Sequence, residues 1–343
     1  MTHLSGVAHL QIEITTHCNA SCPGCARNHL GGETKSILPL QNMSLDTWKT
    51  LIAKNNVNFY EINFNGSFGD ALMHPDIIKM LEHLLTVSTD YDISIATNGS
   101  MRNTDFFHEL AKVLKQFRFH EVVFAIDGLE NTHDIYRRKT KFTQIIQNLR
   151  SFNQSGGFSV WNMTVFDHNL SQIDQCKSMA GQLGCSSFQI RRSYAPSIPA
   201  KKYLHYPAQK INSPEYHLVD ALIDQHNQDL KNKMNIGEQN HKCMAHRRTK
   251  SISMCPWVQG KLIQVDVFGN IWPCCYVHDA QIDSLEHPEW DFNILQQKFG
   301  NNFNNIHHHD GIQQIIDGEF FRRYVTKQWK YQASPLCQEC MGK

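Results

Sequence analysis

The chain has 343 residues, 41 % of them hydrophobic, and a formal charge of +1 from 33 basic and 32 acidic residues. That length allows one large domain, or one large and one small, with enough apolar residues for a packed core. The balance of charge gives no electrostatic reason to expect nucleic acid or an acidic membrane as partner. No apolar run approaches the ~18 residues of a membrane span. The start, Met-Thr-His-Leu-Ser-Gly-Val-Ala, lacks the charged region and apolar stretch of a signal peptide, so a cytoplasmic location is expected.

In chain order, strand-like and helix-like patterns alternate over the first ~200 residues. His9–Thr15 alternates as strand one, and a cysteine-rich loop follows it. Ser44 is placed to cap a helix with Leu45, Trp48, Leu51 and Ile52 on one face. Tyr60–Phe64 reads as strand two. Pro75 suits the first turn of a helix carrying Ile77, Ile78, Leu81, Leu84 and Leu85. Ile93–Ala96 reads as strand three, turning at Thr97-Asn98-Gly99. Thr104 is expected to cap a helix with Phe107, Leu110, Ala111 and Leu114.

Val122–Ile126 reads as strand four, ended by Asp127-Gly128. Phe142, Ile145, Ile146, Leu149 and Phe152 form the next helix face, broken at Gly156-Gly157. Trp161–Phe166 lies in strand five. Ser171 is expected to cap a helix with Ile173, Cys176, Met179, Ala180 and Leu183, and Phe188–Ile190 is a short strand six. Six β/α units make a partial, TIM-like barrel, in which sites gather at the carboxyl ends of the strands. The expected division is a barrel over 1–195, a linker with one helix over 196–242, and a small, irregular C-terminal cysteine domain over 243–343. His307-His308-His309 reads as an exposed polar turn.

Disulfides are rare in the cytoplasm, so the eleven cysteines need another use. Three lie within positions 18–25, none between 26 and 175, and six in the last 101 residues. Two separate metal or cluster sites fit this distribution better than a disulfide framework. Cys18, Cys22 and Cys25 have the spacing C-x3-C-x2-C, with Pro23 and Gly24 suited to a tight loop. Three thiolates leave one iron of a four-iron cluster open, because such clusters usually take four. The alternatives are a zinc site lacking one ligand or three unrelated thiols.

The stretch from Glu13 to Arg27, Glu-Ile-Thr-Thr-His-Cys-Asn-Ala-Ser-Cys-Pro-Gly-Cys-Ala-Arg, resembles the cluster loop of the radical S-adenosylmethionine (SAM) superfamily. The resemblance covers essentially the whole chain. It implies a partial (β/α)6 barrel, a catalytic [4Fe–4S] cluster on Cys18, Cys22 and Cys25, and SAM on the open iron. Asn65-Gly66-Ser67-Phe68-Gly69-Asp70 resembles the family's Gly-Gly-Glu motif, with Phe68 and Asp70 in place of the first glycine and the glutamate. His74-Pro75-Asp76 matches the helix start that follows it. Ala125-Ile126-Asp127-Gly128 and the later Arg137 resemble a Ser-x-Asp-Gly and arginine pair that holds the SAM carboxylate, although Ala125 lacks the hydroxyl. The resemblance thus implies SAM contacts from Gly69, Asp70, Asn98, Asp127, Arg137, His168 and Asn169. For His168 and Asn169, turn and capping duty is an equal alternative.

The downstream cysteines are Cys243, Cys255, Cys274, Cys275, Cys337 and Cys340. They resemble the short, "twitch" form of the C-terminal SPASM extension, with Val265–Trp272 as its hairpin around Phe-Gly-Asn. That likeness implies a second [4Fe–4S] cluster on Cys255, Cys274, Cys337 and Cys340; a four-cysteine zinc site is the alternative. Cys275 is expected to face away from Cys274 if the strand continues, and Cys243 and Cys275 stay open as ligand or hydrogen donor. Cys176 and Cys185 read as core residues.

The function implied is reductive SAM cleavage followed by hydrogen abstraction, with oxidative modification or crosslinking of a peptide or protein side chain as the outcome. One alternative is dehydrogenation or epimerisation of a small polar molecule such as an aminocyclitol. The other is a non-enzymatic zinc- or cluster-binding interaction protein. Implied partners are SAM, the substrate, and an electron donor such as flavodoxin or ferredoxin.

Overall fold

The computed structural model describes residues 7–28, 32–192, 261–281 and 290–325. The strands β1 (His9–Ile12), β2 (Glu61–Phe64), β3 (Asp92–Thr97), β4 (Phe119–Ala125), β5 (Ser159–Val165) and β6 (Ser187–Arg192) lie side by side, each parallel to the next. Between them run α1 (Leu45–Ala53), α2 (Ile77–Val87), α3 (Thr104–Leu114), α4 (His133–Tyr136), α5 (Phe142–Gln154) and α6 (Ile173–Gln182). This is the expected partial barrel.

The strands alternate because one face of the sheet meets helices. Ile62, Phe64, Ile93, Ile95, Phe124 and Trp161 are fully buried on that face. Each contributes about 1.5–3 kcal/mol by leaving water. Their sequence neighbours point to the opposite, partly accessible face, which is polar. There Ser94 Oγ donates to Glu121 Oε1 at 2.8 Å, and Arg191 Nε donates to Asn162 Oδ1 at 2.8 Å. Ser44 caps α1 as expected, its Oγ accepting from Thr47 N at 3.0 Å.

Several local expectations shift. Asn103, not Thr104, caps α3, since its side chain accepts from Phe106 N. Ser171 sits inside a 3-10 turn (Leu170–Gln172) and does not cap α6. Pro75 precedes α2, which begins at Ile77 after Asp76. Strand one stops at Ile12, because beyond Glu13 the chain turns into the cysteine loop.

The hairpin forms, but it is not confined to a separate layer. β7 (Leu262–Val265) pairs in parallel with β1, and β8 (Ile271–Trp272) pairs antiparallel with β7. One eight-stranded sheet results, in the order β6-β5-β4-β3-β2-β1-β7-β8. The hairpin turn is pinned by buried Asp266. Its Oδ1 accepts from the N–H groups of Phe268 and Asn270, and its Oδ2 from Asn270 Nδ2 and Trp272 Nε1.

After Trp272 the strand ends, so the alternation expected of Cys274 and Cys275 does not apply. Cys274 caps and Cys275 opens helix α7 (Cys275–Ala280). Where an irregular C-terminal region was expected, the described part is largely helical. It contains α8 (Phe292–Phe299), α9 (Ile312–Asp317) and a π-helical turn over Phe320–Val325. Its polar residues do capping work: Asp291 accepts from Asn293 N and Ile294 N, and Asn305 accepts from His307 N. Trp272, Phe292, Phe299, Phe303 and Phe320 pack edge-to-face or tilted behind them. In the histidine turn, His307 bonds Thr47 Oγ1 and His309 bonds the Asn305 carbonyl. Cys176 is fully buried; Cys185 is only partly so, at the turn after α6.

Candidate active site

Parallel strands deliver their following loops to one end of the sheet, and the cysteine loop after β1 lies there. Cys22 is buried, and Cys18 and Cys25 are half-buried. The Cys25 N–H bonds the Cys22 carbonyl, closing the loop at Pro23-Gly24. Burial pushes the Cys18 thiol up to about 12 and the Cys25 thiol up to about 11, and it raises Cys22 as well. Thiols this far inside do not ionise at neutral pH by themselves, whereas bound metal deprotonates them.

Two N–H donors already point at this sulfur set. Asn98 Nδ2 lies 3.7 Å from Cys18 Sγ, and Arg137 Nη1 lies 4.0 Å from Cys22 Sγ. Among the described residues, no three His, Cys, Asp or Glu side chains converge closely enough for a single metal ion. An iron–sulfur cube, which binds each thiolate on a different iron, does not need them to. The donor set therefore fits a cluster with three cysteine ligands.

Asp70, after β2, is buried. Thr97 Oγ1 reaches both its oxygens, while Asn98 N donates to Oδ2 at 2.7 Å and Leu72 N to Oδ1 at 3.1 Å. Burial raises its carboxyl, and these donors partly reverse that. Asp70 thereby ties the β2 loop to the β3 loop. Gly69 is required by close approach: a Cβ there would sit 1.7 Å from the Thr15 carbonyl oxygen.

Asp127, at the end of β4, is a hub. Thr164 N donates to its Oδ1 at 2.6 Å, and Arg137 Nε donates to its Oδ2 at 2.6 Å. Burial alone would lower the Arg137 guanidinium, but the Asp127 carboxylate bonded to it opposes this and keeps it charged. With Nε used on Asp127, Nη1 faces the cysteine loop at Cys22. Asn169 is fully occupied, accepting from Phe166 N and donating to the carbonyls of Asp127 and Thr164. The His168 ring stacks on Phe166 at 5.3 Å and 9°. Two chains of contacts thus meet the cysteine loop, Asp70–Asn98–Cys18 and Asp127–Arg137–Cys22, while Asn169 serves the turn after β5. Of the downstream cysteines, Cys274 is buried and Cys275 half-buried. Cys243, Cys255, Cys337 and Cys340 lie outside the described residues.

Three buried charged residues were not anticipated. Arg27 donates to the carbonyls of Thr16 and Phe68 and to Thr34 Oγ1, which clamps the cysteine loop. Glu13 and His278 meet behind the Gly69 loop. The polar position of Glu13 at the strand end and the basic residue two after Cys25 were the only sequence signals. His278 gave none, since its partner is 265 residues away in sequence.

Residues 12–178 match the family model of the radical SAM superfamily. The chain is 22 % identical over 349 residues to the subtilosin biosynthesis protein AlbA of Bacillus subtilis, covering 97 % of this chain and 64 % of AlbA. The fold is similar to anSMEcpe with bound AdoMet (TM-score 0.62, 14 % identity, 94 % of this chain and 81 % of that one). It is also similar to Streptococcus suis SuiB bound to S-adenosylmethionine (TM-score 0.56, 14 % identity, 79 % and 61 %). The radical SAM likeness is carried by the barrel segment over residues 12–178, just under half of the chain. The chain spans less than two thirds of the length of AlbA and of SuiB.

Proposed function

We propose that this enzyme cleaves SAM reductively at a cluster held by Cys18, Cys22 and Cys25, and oxidatively modifies or crosslinks a peptide or protein side chain. The observation that carries the first half is the cysteine loop at one end of the sheet, with Asn98 beside Cys18 and Arg137 beside Cys22. The likeness to a bacteriocin biosynthesis protein over 97 % of the chain supports the second half. So does the polar inner face of the sheet, where Ser94, Glu121, Asn162 and Arg191 suit a hydrogen-bonding substrate.

When bound, SAM and the clusters supply a 5′-deoxyadenosyl radical and a nearby acceptor for the electron left on the substrate. The protein's own part is placement. Arg137, fixed by Asp127, offers its outer nitrogens to a carboxylate such as that of SAM. Asp70 and Asn98 hold the β2 and β3 loops together around the place where an amino group would sit. Phe166 packs against Tyr136, next to Arg137, and against the His168 ring. A second [4Fe–4S] cluster is assigned to Cys255, Cys274, Cys337 and Cys340, and reduction is assigned to a flavodoxin or ferredoxin. Among the described residues, no helix is long and apolar enough to cross a membrane, in keeping with the proposed cytoplasmic location.

The test is anaerobic 5′-deoxyadenosine production. Changing Cys18, Cys22 and Cys25 to Ala should abolish it; persistence refutes the cluster assignment. Iron near eight per chain, falling to about four in that variant, is expected for two four-iron clusters. Zinc without sulfide at the second site refutes that part. A candidate peptide encoded beside the gene should lose a pair of hydrogens by mass spectrometry. Turnover of aminocyclitols but of no peptide would move the substrate to the small-molecule class.

A further inference from the structure

Glu13 closes β1 and is 1 % exposed. Its Oε1 accepts from Phe68 N at 2.7 Å and from Gly69 N at 2.9 Å, holding the backbone of the loop that carries Asp70. Gly66 leaves room for this carboxylate, since a Cβ there would meet Oε1 at 2.6 Å. Glu13 Oε2 has no hydrogen-bond partner among the described residues. It faces His278 Nε2 at 3.7 Å.

His278 is 3 % exposed and lies on α7, three residues after Cys275. Its Nδ1 lies 3.4 Å from Asp279 Oδ1, close enough for an ion contact but without hydrogen-bond alignment. Its ring packs against Phe68 at 5.4 Å, with Trp272 on another side. The loop over 66–70 is therefore held twice, at its N–H groups by Glu13 and at the Phe68 ring by His278. A buried carboxylate without a countercharge would protonate or shift. Either change would loosen the two N–H bonds.

We propose that His278 is a positioning residue for SAM: it fixes Glu13, Glu13 fixes the 66–70 loop, and SAM affinity thereby depends on the segment carrying Cys274. This rests on the reading that 66–70 borders the SAM pocket. The coupling joins the radical-generating end of the barrel to the second cysteine segment through buried charge rather than through the substrate.

The experiment is a SAM titration of the cluster-loaded, reduced enzyme, read as the SAM-induced change in its electron paramagnetic resonance spectrum. Iron content and thermal midpoint are recorded for each variant. His278→Ala and Glu13→Gln should each raise the half-saturating SAM concentration about tenfold, a coupling of about 1.4 kcal/mol. The double variant should cost less than the two singles summed, because each single already loses the Glu13–His278 contact. His278→Gln, which keeps a donor and most of the volume, should recover part of the affinity, and it serves if the alanine variant does not fold. Asp70→Ala separates the two levels of argument. If it weakens SAM binding while His278→Ala and His278→Gln stay within twofold of wild type, the coupling is refuted and the loop assignment stands. If none of these variants moves the titration, the loop assignment falls and the coupling with it.

Discussion

Arg137→Ala tests the frame of the site most directly. Asp127 is fully buried, and its Oδ2 takes a 2.6 Å bond from Arg137 Nε while its Oδ1 takes one from Thr164 N. Removing the guanidinium leaves one carboxylate oxygen buried without its cation. Breaking a buried pair in this way typically costs about 3–5 kcal/mol. The Arg137 side chain is 18 % exposed, so water can reach part of the vacated space, and about 3 kcal/mol is expected. The assay is anaerobic urea unfolding of the cluster-free protein, where a loss of that size moves the midpoint by about 1 M. Asp127→Asn keeps an acceptor for Thr164 N but removes the charge. On that background, Arg137→Ala should cost only about 1 kcal/mol, the worth of an ordinary hydrogen bond. A cost below about 1 kcal/mol on the wild-type background, or equal costs on both, would refute the buried pair as the element that orients Arg137.

Other expectations follow from the same contacts. Gly69→Ala forces a Cβ against the Thr15 backbone, which cannot step aside, so both SAM binding and stability should drop sharply. Gly66→Ala meets only the end of the Glu13 side chain and should cost less, about 1–2 kcal/mol, as seen by urea unfolding. Asp266→Ala removes four bonds from the hairpin turn and should speed amide exchange in β1 as well as β7, because the two strands pair. Unchanged exchange in β1 would show that the hairpin opens independently. His133 is buried and neutral, and burial lowers its imidazole to about 4. At pH 7 it is largely uncharged in both states. As pH falls, the unfolded imidazole takes a proton near 6.5 and the folded one only near 4, so stability is lost across that window by up to about 3 kcal/mol. His133→Gln should flatten the fall in unfolding midpoint between pH 6.5 and 4; an unchanged slope would exclude His133 as its source.

The sequence alone determined what local pattern can determine. Alternation gave the six parallel strands, helical spacing gave the apolar faces between them, and cysteine spacing gave the loop at Cys18, Cys22 and Cys25. Adjacent motif residues such as Asp70, Asn98 and Arg137 were legible because each follows its own strand, and parallel strands send all such loops to one end. The cap of α3 depended on which side chain the Phe106 N–H turned towards, and so fell on Asn103 rather than Thr104. Only the tertiary structure could place β7 beside β1, since strand pairing across 250 residues leaves no local trace. The same holds for the buried charges. A lone Glu at a strand end and a lone His in a short helix read as ordinary surface residues. It is the fold that removes both Glu13 and His278 from water and sets the imidazole beside the carboxylate's unpaired oxygen.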